Sequence, residues 1–200
     1  MTAAARYGAM NRIETADYPF ELSLYRVRKP WGGWPQGVGE IRSLSGPPHE
    51  SVILNGPLSG KRLTELVARF PDVLGRGAEL DAREPFPLLV RFRRAALDLP
   101  VTVHPNDAFT LAHRLPMVGQ EKILYIVEAK RGAKLYGGFR APCQRERLQA
   151  AFETQSMRDL LHAVSVRPGQ VYTIPPGRPY ALGGGLTVVD IGRHTKASFF

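Results

Sequence analysis

Three short stretches of this chain carry residues that together could move protons. In Val101-Thr-Val-His104 the alternation of a strand puts Thr102 and His104 on one face. In Glu121-Lys-Ile-Leu-Tyr-Ile126 the same alternation turns Lys122 inward with Leu124 and Ile126, and Glu121 outward. In Gly169-Gln-Val-Tyr-Thr-Ile-Pro175-Pro-Gly177-Arg-Pro-Tyr180 a strand enters, a Pro-Gly turn reverses it, and Tyr180 points back in. An imidazole titrates near neutrality. A lysine among leucines and isoleucines is pushed toward its neutral form and can serve as base, electrophile or Schiff-base amine. A phenol can donate to a developing oxyanion. His104, Lys122 and Tyr180 are therefore the candidate catalytic residues. Thr102, Arg91, Trp31 and Asp190 are the candidate substrate-binding residues around them.

Other reactive types lack a partner at working spacing. Cys143 follows Pro142 in a loop and has no His or Asp placed to activate it. As the sole cysteine it forms neither an internal disulfide nor a cysteine-cluster metal site. Gly183-Gly-Gly185 precedes no helix and is a turn, not a phosphate loop. His49, His113 and His162 lie in polar or turn-like surroundings and read as surface.

The elements that must position these residues are mostly strands. The chain has 200 residues, 44% hydrophobic and 22% charged, the profile of one globular domain. Its 20 glycines and 17 prolines punctuate short apolar runs, as turns between strands do. Strands are expected at 22–28, 51–54, 87–93, 100–104, 123–128, 133–136, 171–174 and 186–191. Leu63, Leu66, Val67 and Phe70 predict a helix over 61–70, and Leu148, Ala151 and Phe152 a second over 144–153. Ser156 and Asp159, spaced as a capping box ahead of Leu160 and Leu161, predict a third. Residues 1–17 read as a lead-in and 18–200 as the domain. Many short strands must hide their edges, so the expected fold is mostly β, a single jelly-roll β-barrel with a few short helices, a form that holds small ligands in its mouth; the spacing Gly169…Pro175-Pro-Gly177…Tyr180 resembles a motif of the cupins, which makes it a cupin-like barrel.

The net charge is +9, and 21 of the 27 basic residues are arginine. Either coding bias or an anionic small-molecule partner accounts for this. Only Arg91, Arg93 and Arg94 cluster, so nucleic acid is not expected. No window is long and apolar enough to span a membrane, and the first residues lack the apolar core of a secretory signal, so a cytoplasmic protein is expected.

Several motifs, in order, resemble the type I phosphomannose isomerases of the cupin superfamily. They are Trp31-Gly-Gly, Val38-Gly-Glu40, Ser51-Val-Ile-Leu-Asn55-Gly56, Pro57-Leu-Ser-Gly60, Phe86-Pro-Leu-Leu89, Val101-Thr-Val-His104-Pro-Asn-Asp107, Gly119 through Ile126, and Ile174-Pro-Pro-Gly177. The resemblance implies a barrel in which zinc polarises sugar oxygens during aldose–ketose proton transfer. It also implies where the zinc ligands stand. The first position is Thr102 and the second His104. The third is Lys122 and the fourth Tyr180. Three of the four are not ligand types, and one is a cation. Arg91 stands where the family has a lysine, and Asp190-Ile191-Gly192 where it has a Glu-Ile-Gln run. An ungapped count puts Phe200 at the family's late arginine.

The reading that follows is a metal-independent cupin enzyme of isomerase, cyclase or lyase type. It would use acid–base chemistry on a small polar, anionic or sugar-like substrate in a biosynthetic pathway, with no cofactor. Two alternatives stay open. One is a zinc-dependent mannose-6-phosphate isomerase with a rearranged site, in which His104 and Glu121 would hold the metal. The other is a non-catalytic cupin that binds a sugar or another metabolite. A homodimer formed through an exposed strand or face is expected in each case.

Overall fold

The computed structural model describes residues 18–74, 86–115 and 119–193, without the side chain of Asp72. The lead-in 1–17 and the position of Phe200 lie outside the described residues.

Among the described residues nine strands form two antiparallel sheets that face each other across a shared core. They are β1 Tyr25–Arg28, β2 Val38–Leu44, β3 Leu88–Arg94, β4 Lys122–Ala129, β5 Lys134–Phe139, β6 Leu161–Ser165, β7 Val171–Ile174, β8 Tyr180–Leu182 and β9 Leu186–Arg193. The large sheet runs β1-β2-β3-β9-β4-β7 and the small one β6-β5-β8. The architecture is the mostly-β jelly roll expected, but the ladders do not join the two sheets into a closed ring; the chain crosses between them in turns such as β7 to β8.

Between the sheets lies an apolar core. Leu124 and Ile126 of β4, Leu186 and Val188 of β9, Ile174 of β7, Leu135 of β5 and Leu182 of β8 fill it. The β4 pattern of buried and exposed residues alternates strictly from Lys122 to Val127, so a half-buried strand is specified by sequence alone. A second core at one end packs helix α1, Leu63–Arg69, through Leu63, Leu66 and Val67 against Ile53, Leu58, Phe70 and Phe86. Glu65 accepts from the Arg62 backbone N–H at 2.8 Å and satisfies one donor of the first turn. Two more helices are α2, Asp107–Ala112, and α3, Arg145–Glu153.

Four expectations are corrected. Ser156 makes no side-chain cap, and only a single 3-10 turn forms at Met157–Leu160; from Leu161 the chain is strand β6. The expected strands at 51–54 and 100–104 reduce to isolated bridges, Val52 with Arg62, Leu22 with Ile53, and Thr102 with Tyr180. Strands β2 and β8 form where none was expected. Helix α2 was also unforeseen; Asn106 caps it, its Oδ1 accepting from Phe109 N–H at 2.7 Å.

Candidate active site

The turn after β7 sets the first half of the site. Gly177 takes φ +80°, a conformation that favours glycine, and its N–H donates to the His104 carbonyl at 2.6 Å. Thr102 and Tyr180 exchange both backbone hydrogen bonds, at 2.8 and 2.9 Å. These contacts bring the His104 and Tyr180 side chains together, with Nε2 3.4 Å from the phenol oxygen. Thr102, His104 and Tyr180 are all buried, and Glu121 is exposed, as strand alternation requires.

The inner face of the large sheet supplies the second half as a grid. Across β2, β3 and β9, Arg42 stands opposite Arg91, and Arg91 opposite Asp190. One step along, Glu40 stands opposite Arg93, and Lys122 of β4 stands opposite Gly192 of β9. The Arg91–Asp190 and Glu40–Arg93 pairs set opposite charges across neighbouring strands, which is stabilising, and the like-charged pair Arg42–Arg91 is bridged by Glu40. Arg91 donates from Nε and Nη2 to Asp190 Oδ2 at 3.0 and 2.7 Å, and from Nη1 to Glu40 Oε2 at 2.9 Å. Arg42 Nε donates to Glu40 Oε1 at 2.6 Å. Arg93 Nη1 reaches Asp190 Oδ2 at 3.4 Å. Lys122 Nζ lies 3.4 Å from Asp190 Oδ1, within ion-pair distance but outside hydrogen-bond geometry, so Oδ1 has no hydrogen-bond partner.

Burial and charge fix the protonation states. Burial pushes the Asp190 carboxyl up, but Arg91, Lys122 and Arg93 outweigh it and hold the group well below the usual carboxylate range. Glu40 is likewise lowered, burial being outweighed by Arg91 and Arg42. Burial brings Lys122 down to about 8, with Asp190 opposing and Arg91 and Arg93 assisting. Burial, then Lys122, pushes His104 down to about 3. Burial and then Asp190 raise the Tyr180 phenol. At neutral pH the site therefore offers a neutral imidazole, a protonated phenol, and an amine close to its titration point.

The residues expected to surround a substrate are thus together. Trp31 is buried in the core, and Arg93 lies over its ring at 5.2 Å, so it is a platform for a guanidinium. Sequence reasoning missed Glu40 and Arg42 as site members, because the charged run Glu40-Ile-Arg42 reads as a solvated face. It also missed Gly192. His49 is half-buried and stacks on Tyr25 at 4.1 Å, while His113 and His162 are exposed. Clefts of about 490 and 550 Å³ lie outside the small sheet, against α3 and the 98–103 segment, and contain none of the candidate residues.

The donor set does not fit a zinc ion. Zinc takes three or four imidazole, thiolate or carboxylate ligands. Among the described residues His104 is the sole imidazole in the cluster, its Nδ1 is buried without a partner, and the charge of the Lys122 ammonium acts on it. Among the described residues no group of three or more His, Cys, Asp or Glu side chains is arranged to hold a metal.

Two facing antiparallel sheets around an inward-looking polar cluster define a cupin. Comparison with known proteins places it further. "Probable mannose-6-phosphate isomerase GmuF" of Bacillus subtilis (strain 168) is 30% identical over 194 residues, a match covering 91% of this chain and 60% of that protein. The crystal structure of the mannose 6-phosphate isomerase from Bacillus subtilis superposes with a TM-score of 0.80 at 28% identity, covering 90% of this chain and 60% of that one. "The structure of a putative mannosephosphate isomerase from Archaeoglobus fulgidus" gives 0.75 at 27%, covering 92% of this chain and 64% of that one. No family model matches. The chain is a divergent relative of the mannose-6-phosphate isomerases, and it spans about three-fifths of the length of the relatives it matches.

Proposed function

We propose that this cupin is an isomerase-type enzyme that interconverts an aldose and a ketose, with a phosphorylated sugar as substrate and without a resident zinc ion. The observation that carries the proposal is the buried Lys122–Asp190 pair, 3.4 Å apart, in the interior of a fold shared with mannose-6-phosphate isomerases. Among isomerase, cyclase and lyase chemistry, the names of the relatives single out isomerisation.

In such a reaction a proton leaves C2 of the open-chain sugar and is returned to C1, while the hydroxyl proton moves between the two oxygens. The Lys122 amine takes the carbon-bound proton, since its pKa near neutrality suits a general base. The Tyr180 phenol holds its proton at the oxygen and donates toward the enediolate oxygen. His104, neutral and 3.4 Å from that phenol, orients it. Asp190, held by Arg91, keeps the returned proton on Lys122 long enough for delivery to C1. A cytoplasmic location and a homodimer are part of the proposal; light scattering on the purified chain tests the second, and a monomer removes it. No helix among the described residues is long and apolar enough to cross a membrane.

The test is isomerisation of mannose 6-phosphate by the chelator-treated protein. Turnover that survives chelation and is lost in Lys122→Met supports the proposal. Turnover that requires added zinc supports the second reading, a zinc enzyme of the kind the relatives' names suggest. Saturable binding of the sugar phosphate with no turnover would assign the chain as a binding cupin.

A further inference from the structure

The charge cluster is unbalanced. Among the described residues four cations, Arg42, Arg91, Arg93 and Lys122, face two carboxylates, Glu40 and Asp190, a surplus of two positive charges. The imbalance has a direction. Lys122, Glu40 and Asp190 are at most 2% exposed, while the side chains of Arg42, Arg91 and Arg93 are 17%, 14% and 12% exposed. The carboxylates are sealed in, and the three arginine side chains are the less buried part of the cluster.

The cluster is also under-satisfied. Among the described residues, three buried side-chain atoms lack a hydrogen-bond partner: Arg93 Nε, His104 Nδ1 and Asp190 Oδ1. All three belong to this one cluster. Buried polar atoms are normally paired, so three orphans at one place mark a position able to exchange hydrogen bonds with a polar ligand. Arg93 lies over Trp31, makes one long contact to Asp190 and acts on the Tyr180 phenol, while its Nε has no hydrogen-bond partner. A guanidinium fork matches the paired oxygens of a phosphate or carboxylate.

We propose that Arg42, Arg91 and Arg93 form an oxyanion subsite at the entrance to the interior, with Arg93 on its Trp31 platform as the principal contact. The ligand is a hydroxylated molecule with a phosphate or carboxylate. The oxyanion neutralises the surplus charge, and hydroxyl groups reach the orphaned atoms behind it. This rests on the interior being the ligand site, but not on the chain being catalytic.

Isothermal titration at low salt tests it, with mannose 6-phosphate and gluconate as separate probes and mannose as the uncharged control. Binding of mannose 6-phosphate alone assigns the subsite to phosphate, and binding of gluconate alone to carboxylate. Arg93→Leu is expected to weaken binding by about tenfold or more, as for loss of a charge-assisted contact. Arg147→Ala, on the surface of α3, is expected to leave it unchanged. If Arg93→Leu does not fold, as judged by circular dichroism, Arg42→Gln takes its place. No binding of either anion, affinity equal to that of mannose, or affinity unchanged in the rim variant would overturn the proposal. Binding with the expected loss in a protein that never turns over would leave the subsite standing and remove the isomerase reading.

Discussion

Gly192 stands directly across the β4–β9 ladder from Lys122, and the space left by its missing side chain is where the lysine lies. A Cβ placed on Gly192 would come 2.9 Å from Lys122 Nζ, 3.0 Å from its Cδ and 2.8 Å from the Glu121 carbonyl. Asp190 is two residues earlier on the same face, so the glycine lets the ammonium fold along the strand to reach it. The glycine is there for room and not for backbone conformation. Gly192→Ala is accordingly expected to displace Lys122 and destabilise the fold by about 1–3 kcal/mol, the range for overpacking. Urea unfolding checks this. An unchanged midpoint would show that the lysine has another resting place.

The two members of the Lys122–Asp190 pair are expected to respond unequally to substitution. Asp190→Asn removes a carboxylate shared by Arg91, Arg93 and Lys122, leaving buried cations without a counter-charge. The expected loss is about 3–5 kcal/mol or failure to fold. Lys122→Met keeps the aliphatic stem, removes one of four cations, and leaves Asp190 with Arg91. It is expected to be neutral or stabilising. Side-by-side denaturation curves decide, and equal losses would contradict the unbalanced-cluster account.

The pH dependence of stability follows from two depressed basic groups. Lys122 titrates at about 8 when folded, against 10.5 for an ordinary lysine. Between those values the unfolded chain binds the extra proton, so stability rises with pH. The penalty for burying the charge is fully present below about pH 8 and relieved by about pH 10.5. The gain is about 3 kcal/mol at most. Wild type minus Lys122→Met isolates it, and a difference independent of pH would contradict the assignment. His104 falls from 6.5 to about 3, so its contribution runs the same way at lower pH: stability drops as pH falls below about 6.5. His104→Gln is expected to flatten that acid limb.

Tyr180→Phe separates chemistry from packing. The ring is buried and stays, while the hydroxyl, 3.4 Å from His104 Nε2, goes. Stability is expected to change by about 1 kcal/mol or less, because that contact is long. Turnover is expected to fall by about 100-fold or more, the scale of a lost oxyanion donor. A normal kcat in this variant would remove Tyr180 from the mechanism.

Strand alternation made much of the site legible. It oriented Lys122 with Leu124 and Ile126, faced Thr102 with His104, and turned Glu121 outward. The Pro175-Pro-Gly177 turn placed Tyr180. What stayed hidden depended on contacts distant in sequence. Glu40 is a buried carboxylate whose burial is offset by Arg91, some fifty positions away, and Arg42 joins the site through Glu40; no local pattern announces the distant partner. Strand β2 was missed for the same reason, since its inner face is charged. Leu160 and Leu161 looked like a helix after Ser156, but pairing of β6 with β5 overrides that local preference. Helix α2 did carry a signal, Asn106 ahead of Asp107, in a segment too short for apolar periodicity to register.

The central claim is that a mannose-6-phosphate-isomerase-like fold here encloses a lysine-centred charge cluster where its relatives' resemblance implies a metal. Elemental mass spectrometry of the purified protein, after equilibration with zinc and exhaustive dialysis, tests it most directly. The account predicts zinc well below one ion per chain, with no difference between wild type and His104→Ala. One tightly held zinc per chain, lost in His104→Ala, would contradict it.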